Sequence, residues 1–113
     1  MTSKEMLEQV YKTLDDKLAT EIVALDVAEL TIIADYFVIC TANSSTHANA
    51  LVGELSRVMK DKNIMPHHIE GYNSPSWVLL DYSGVIIHIF DKKTREFYDL
   101  ERVWGDAKKV SVK

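Results

Sequence analysis

The side chains able to do chemistry are few and scattered. Histidines stand at His47, His67, His68 and His88. His67 and His68 are adjacent, so on a strand they face opposite sides and cannot share a metal ion. His47 opens a helical pattern with no carboxylate or histidine four residues on, so ligand spacing for a metal is missing. Ser44, Ser45, Ser74, Ser76 and Ser83 fall at turns or helix starts, where serine is ordinary, and no Gly-x-Ser-x-Gly elbow surrounds any of them. The glycines Gly53, Gly71, Gly84 and Gly105 form no phosphate loop.

One catalytic arrangement remains to be weighed. An apolar strand running into Asn43-Ser44-Ser45 and then a helix presents free amides and a positive helix end, a geometry that receives phosphate. A nucleotidyl transferase built that way needs two carboxylates on a nearby strand to hold magnesium. Residues two apart on a strand share a face, but Asp81 has Leu79 and Ser83 at those positions and Asp91 has Ile89 and Lys93. The pair is absent, and helix capping by Ser44 or Ser45 accounts for the motif. No catalytic residue, metal or cofactor is expected. Cys40, the single cysteine, lies in the apolar run Phe37-Val38-Ile39-Cys40 and reads as a buried small hydrophobe.

The elements that must position any site follow from periodicity. Met6, Leu7, Val10, Tyr11, Leu14 and Leu18 form one stripe, so Thr2 to Leu18 is expected to be a helix, with Thr2 and Glu5 at capping-box spacing. Glu21 to Val27 switches to a strand pattern, and Leu30 to Ala34 reads as a loop or a short turn of helix. Asp35 to Thr41 is apolar on both faces and predicts a central strand. A second helix carries Ala48, Leu51, Val52, Leu55, Val58 and Met59 and is closed near Asn63. His67 to Tyr72 is a weak strand; Trp77 to Asp81 and Val85 to Phe90 are strong ones, joined into a hairpin by Tyr82-Ser83-Gly84. Asp91 and Asp99 are placed to cap two short helices, the second ended by Gly105. The expectation is an α/β (α+β) fold: a mixed five-stranded sheet flanked by helices, one domain over 1–107, and a flexible tail over 108–113.

Those elements put an aromatic and polar set on the carboxyl-terminal half. Trp77, Leu79 and Asp81 share one strand face; Ile86, His88 and Phe90 share one face of the next, opposite the apolar face of Val85, Ile87 and Ile89. If the two mixed faces fall on the same side, they make a patch of protein-contact composition. If helices cover that side, Trp77 is core, and sequence leaves the two placements open. In the following segment Phe97, Leu100 and Trp104 are expected to tuck inward and Tyr98, Asp99 and Arg102 to point outward, with Glu96 or Glu101 free to pair with Arg102.

The whole chain has 113 residues and 12.9 kDa, with 13 Lys plus Arg against 17 Asp plus Glu, a net charge of −4. This sign disfavours coating of nucleic acid and suits a basic protein partner. No apolar run reaches the roughly 18–20 residues of a bilayer span, so no membrane contact and a cytoplasmic location are expected.

Several blocks together carry a resemblance. They are Ala34-Asp35-Tyr36-Phe37-Val38-Ile39, Thr41-Ala42-Asn43-Ser44, Glu70-Gly71, Trp77-Val78-Leu79-Leu80-Asp81-Tyr82, His88-Ile89-Phe90, and the run from Arg95-Glu96-Phe97-Tyr98-Asp99-Leu100-Glu101 to Ala107. In this order they resemble the iojap family, the ribosomal silencing factors of bacteria and organelles, over about Glu21 to Ala107. The resemblance implies a domain of nucleotidyltransferase-like topology without the catalytic carboxylates, as the missing partner of Asp81 agrees. It implies binding to the large ribosomal subunit through ribosomal protein fourteen, at the face that meets the small subunit, so that subunit joining is blocked and translation falls when nutrients are scarce. The expected contact residues are Trp77, Leu79, Asp81, Tyr82, His88, Tyr98 and Asp99, with Trp77 an apolar anchor and Asp81 and Asp99 partners for Arg or Lys. A nucleotidyltransferase-like enzyme and a homodimeric scaffold are the alternatives.

Overall fold

The computed structural model describes residues 1–73 and 76–112, so Ser74 lies outside the described residues. Helix α1 (Ser3–Asp16) starts where its sequence dictates. The Glu5 amide donates to Thr2 Oγ1 at 3.1 Å and the Thr2 amide donates to Glu5 Oε1 at 2.8 Å, a reciprocal capping box. It ends two residues before Leu18, because Asp15 and Asp16 oppose the helix dipole and Leu18 takes a left-handed φ of 65°. Helix α2 (Ser45–Asp61) is capped by Ser44, whose Oγ accepts from the His47 amide at 3.0 Å, and is followed by Asn63 at a left-handed φ of 63°.

The strands are β1 (Thr20–Asp26), β2 (Tyr36–Thr41), β3 (His68–Glu70), β4 (Trp77–Asp81), β5 (Val85–Phe90) and β6 (Lys108–Val110). They form one mixed sheet in the order β3-β4-β5-β2-β1-β6, with β2 parallel to β5 and every other pairing antiparallel. The central β5 is buried at all of its positions, and β2 at all but Tyr36, which is why both read as continuous apolar runs. Helices α1 and α2 cover one face. There Leu7, Val10, Leu14, Leu51, Leu55 and Met59 pack on Val38, Cys40, Val78, Leu80, Val85, Ile87 and Ile89. Each large apolar side chain so enclosed contributes roughly 1.5–3 kcal/mol, so this layer is the main source of stability.

The opposite face has a smaller cover. Helices α3 (Lys92–Tyr98) and α4 (Leu100–Val103) follow β5, and Leu100, Trp104 and Ala107 pack on Leu25, Phe37, Ile39 and Phe90. Strand β4 alternates between half-buried and buried, with Trp77, Leu79 and Asp81 on the half-buried side. Gly71 precedes it at φ 81°, where an added Cβ would collide with the Trp77 carbonyl oxygen; only glycine lets the β3–β4 connection pass this close.

The sheet has six strands rather than the expected five. The segment over 108–110, expected in a flexible tail, pairs with β1 through Ala24↔Val110, Leu25↔Lys109 and Asp26↔Lys108. The physical reason is that β1 would otherwise expose an unpaired edge, and Val110 and Val112 alternate onto the helix-side core, Val112 being 8% exposed. Both edge strands, β3 and β6, are only three residues long, and β6 carries Lys108 and Lys109, features that discourage edge-to-edge pairing.

Candidate docking face

The cross-strand register answers which side the mixed faces share. Trp77 pairs with Phe90, Leu79 with His88 and Asp81 with Ile86, so both mixed faces lie on the side away from α1 and α2. The Trp77 ring lies 4.8 Å from Phe90 and 4.7 Å from Tyr98, between centroids, so the end of α3 supplies one wall of a half-exposed aromatic step. Tyr98 is 48% exposed, and Phe97 beside it is 80% exposed rather than tucked inward. Leu79 extends the apolar surface along β4, with Glu70 of β3 opposite it.

Asp81 forms the rim. Its Oδ1 accepts from the Ser83 amide at 2.8 Å, fixing the β4–β5 turn, and its Oδ2 lies 3.7 Å from His68 Nδ1. His68 and Glu70 therefore lie on the same face, although neither is among the contact residues expected from the sequence. Their signal was period two, which puts residues 68 and 70 on one side of β3.

Two expected contact residues are buried. Tyr82 is 4% exposed and packs in the helix-side core, because it continues the alternation of Val78 and Leu80 rather than that of Asp81. Burial pushes its phenol pKa up. His88 is on the correct face but 5% exposed, enclosed by Phe37 (edge-on, 5.2 Å between centroids), Phe90 and Trp77. Trp77 Nε1 donates to His88 Nδ1 at 3.2 Å. An indole nitrogen can only donate, so Nδ1 accepts and the neutral ring carries its hydrogen on Nε2. Burial pulls the His88 pKa down to about 4, so the ring is neutral at physiological pH.

The α3–α4 segment is tied down from beneath. Asp91 Oδ1 accepts from the Thr94 amide at 2.7 Å and starts α3 as its spacing predicted. Asp99 does not cap α4: it takes a left-handed φ of 46° between the two helices, and its side chain makes no capping bond. Its backbone turn instead closes α3, the Asp99 amide donating to the Arg95 carbonyl at 2.9 Å. Arg95 is 8% exposed and pairs with Glu101 at 2.9 Å, one of the two glutamates that the sequence leaves free to pair with Arg102.

The candidate phosphate site is also visible. A cleft of about 760 Å³ opens at the end of β2 and the start of α2, with Glu21, Thr41, Asn43, Ser44 and Asp91 among its lining. Lys92 lines the cleft too, and two of the amides there are engaged. Ser44 takes the His47 amide, and the Asn43 amide donates to His47 Nδ1 at 2.9 Å, leaving Nε2 to donate to the Lys17 carbonyl at 2.8 Å. Glu21 and Asp91 would also repel a phosphate. Among the described residues no group of three or more His, Cys, Asp or Glu could hold a metal ion, and no helix is long and apolar enough to cross a membrane. The face built by Trp77, Leu79 and Tyr98 has the aromatic and apolar make-up of a contact surface.

Comparison with known proteins identifies the family. A family model described as "Ribosomal silencing factor during starvation" matches residues 1–113. The ribosomal silencing factor of Halalkalibacterium halodurans is 38% identical over 112 residues, covering 99% of this chain and 96% of its own length. The mouse protein named "Mitochondrial assembly of ribosomal large subunit protein 1" is 30% identical over 101 residues, 87% of this chain and 44% of its own length. A crystal structure from Chromobacterium violaceum superposes with a TM-score of 0.90 at 28% identity, covering 99% of this chain and 92% of that one. Names across these relatives describe regulatory, ribosome-associated factors and no enzyme, and the chain belongs to the same family, the ribosomal silencing factors related to iojap.

Proposed function

We propose that the chain docks on the large ribosomal subunit through ribosomal protein fourteen and prevents the small subunit from joining, acting in the cytoplasm by steric exclusion. The observation that carries this reading is the half-exposed aromatic step of Trp77 and Tyr98, continued by Leu79 and rimmed by Asp81. Aromatic anchors with apolar neighbours and a polar rim are the composition of an interface hot spot. The acidic rim and the net charge of −4 suit a basic ribosomal protein and speed encounter with it. The resemblance to a mouse protein named for assembly of the large subunit supports the choice of particle.

The test is sedimentation of mixed ribosomal subunits through sucrose gradients with the purified chain. The wild-type chain should co-migrate with large subunits and deplete joined ribosomes; Leu79→Arg should do neither while keeping its unfolding midpoint. Normal joining in the presence of excess wild-type chain overturns the proposal. Self-association of the free chain through the same face would appear as sedimentation that depends on chain concentration and is abolished by Leu79→Arg.

A further inference from the structure

We propose that His88 is a positioning residue for the docking face: it holds the Trp77 indole in the orientation that Tyr98 and Phe90 flank, without touching the partner itself. The inference rests on the docking reading above.

His88 is 5% exposed among Phe37, Phe90 and Trp77, and its Nε2 has no hydrogen-bond partner among the described residues. Because Nδ1 accepts from Trp77, that orphan is an N–H donor, enclosed by the rings of Phe37, Phe90 and Trp77. A buried unmatched donor destabilises a fold, and phenylalanine would fill this apolar site without one. Local stability therefore does not explain a histidine here. Among the described residues the one polar contact of its imidazole is the bond from Trp77 Nε1, at 3.2 Å.

That bond acts on the orientation of the indole. Trp77 is only half-buried, on a strand whose outward side is otherwise bounded by Leu79 and Tyr98. A half-exposed indole held by stacking alone can rotate; an N–H anchored to a buried acceptor cannot do so without leaving the acceptor unpaired. A side chain already ordered before binding spares the partner the cost of ordering it. The burial of His88 also rules out direct contact, so its effect must pass through Trp77.

Two substitutions separate positioning from packing. In His88→Asn the side-chain oxygen stands near the place of Nδ1 and the orphaned Nε2 is gone. In His88→Phe the volume is kept and the acceptor is lost. The Trp77 indole N–H, assigned by its absence in Trp77→Phe, should exchange slowly with solvent in the free wild-type chain and in His88→Asn, and at least tenfold faster in His88→Phe. Affinity for purified large subunits should fall roughly three- to tenfold in His88→Phe, stay near wild type in His88→Asn, and show no further loss when His88→Phe is added to Trp77→Phe. Wild-type affinity in a folded His88→Phe, or equal loss in both variants, overturns the proposal. The exchange measurement uses the free chain, so slow exchange with no subunit binding by the wild type would sink the docking reading and not the Trp77–His88 coupling.

Discussion

Arg95 reaches across the molecule to Glu21, its Nη1 donating to the Glu21 carbonyl at 2.7 Å. The contact falls where β1 loses register with β2, between Thr20 and Val23, and where Glu21 takes a left-handed φ of 49°. A bulge of this kind frees a carbonyl from the ladder, and a part-buried carbonyl gains from a donor. Arg95 supplies it, also bonds Thr41 Oγ1 at 2.9 Å, and turns Nε and Nη2 to Glu101 at 3.2 and 2.9 Å. One guanidinium thereby joins β1, β2, α3 and α4. Since α3 ends in Tyr98, this buried hub sets where the helical wall of the proposed docking face stands against Trp77.

Removing the hub should therefore damage both fold and face. Arg95→Met leaves the Glu21 carbonyl, Thr41 and Glu101 without their donor, and breaking a buried charged network typically costs about 3–5 kcal/mol. Glu101→Gln keeps one acceptor at a side chain that is 30% exposed, so its loss should be clearly smaller. Urea unfolding of the three chains checks the order; equal midpoints for wild type and Arg95→Met would show that the network is not what holds α3.

Tyr98→Ala should separate binding from stability. The ring is 48% exposed and touches Trp77 and Phe97 at the surface, so unfolding free energy should change by no more than about 1 kcal/mol. A central aromatic at an interface is worth about 2 kcal/mol or more, roughly a 30-fold loss of affinity. Titration of purified large subunits with labelled chain measures it. An unchanged affinity would remove α3 from the docking face.

How much of this could be read from sequence varied with the range of the forces involved. Trp77 to Asp81 and Val85 to Phe90 emerged with the observed boundaries because their alternation is local and matched by a hairpin turn. The same alternation, carried one residue further, places Tyr82 with Val78 and Leu80; grouping it with the face ignored a parity that was in plain view. The burial of His88 had no local signal, since its cover includes Phe37, a strand neighbour fifty-one positions earlier. Phe97 was misplaced for a different reason. A single helical stripe through Phe97, Leu100 and Trp104 needs one continuous helix, and the left-handed Asp99 resets the phase. Pairing of Arg95 with Glu101 depends on that same turn. The strand over 108–110 was obscured by its lysines, although Val110 and Val112 keep the two-residue period.

Cys40 should be inert in the folded chain. It is fully buried on the helix side of β2, and burial pushes its thiol pKa up to about 12, so almost no thiolate forms at neutral pH. A disulfide reagent such as dithionitrobenzoate should react only as fast as the chain opens, and denaturant below the unfolding midpoint should accelerate it. Immediate stoichiometric reaction in native buffer would mean that β2 is accessible.

Acid should reveal His88 directly. Its pKa is about 4 when folded against an ordinary 6.5, so between those values the unfolded chain takes up a proton that the folded chain refuses. Binding of the proton to the unfolded state favours unfolding, so this stability is fully present above pH 6.5 and is lost progressively as pH falls to 4. The complete loss amounts to about 3 kcal/mol. Carboxylates protonate in the same range and weaken every variant alike, so the informative quantity is the difference between wild type and His88→Asn. Wild type should lose about 3 kcal/mol more than His88→Asn between pH 7 and pH 4, measured by urea unfolding at closely spaced pH values. Parallel pH profiles would mean that the imidazole is hydrated in the folded chain, and the enclosure by Phe37, Phe90 and Trp77 would then be open in solution.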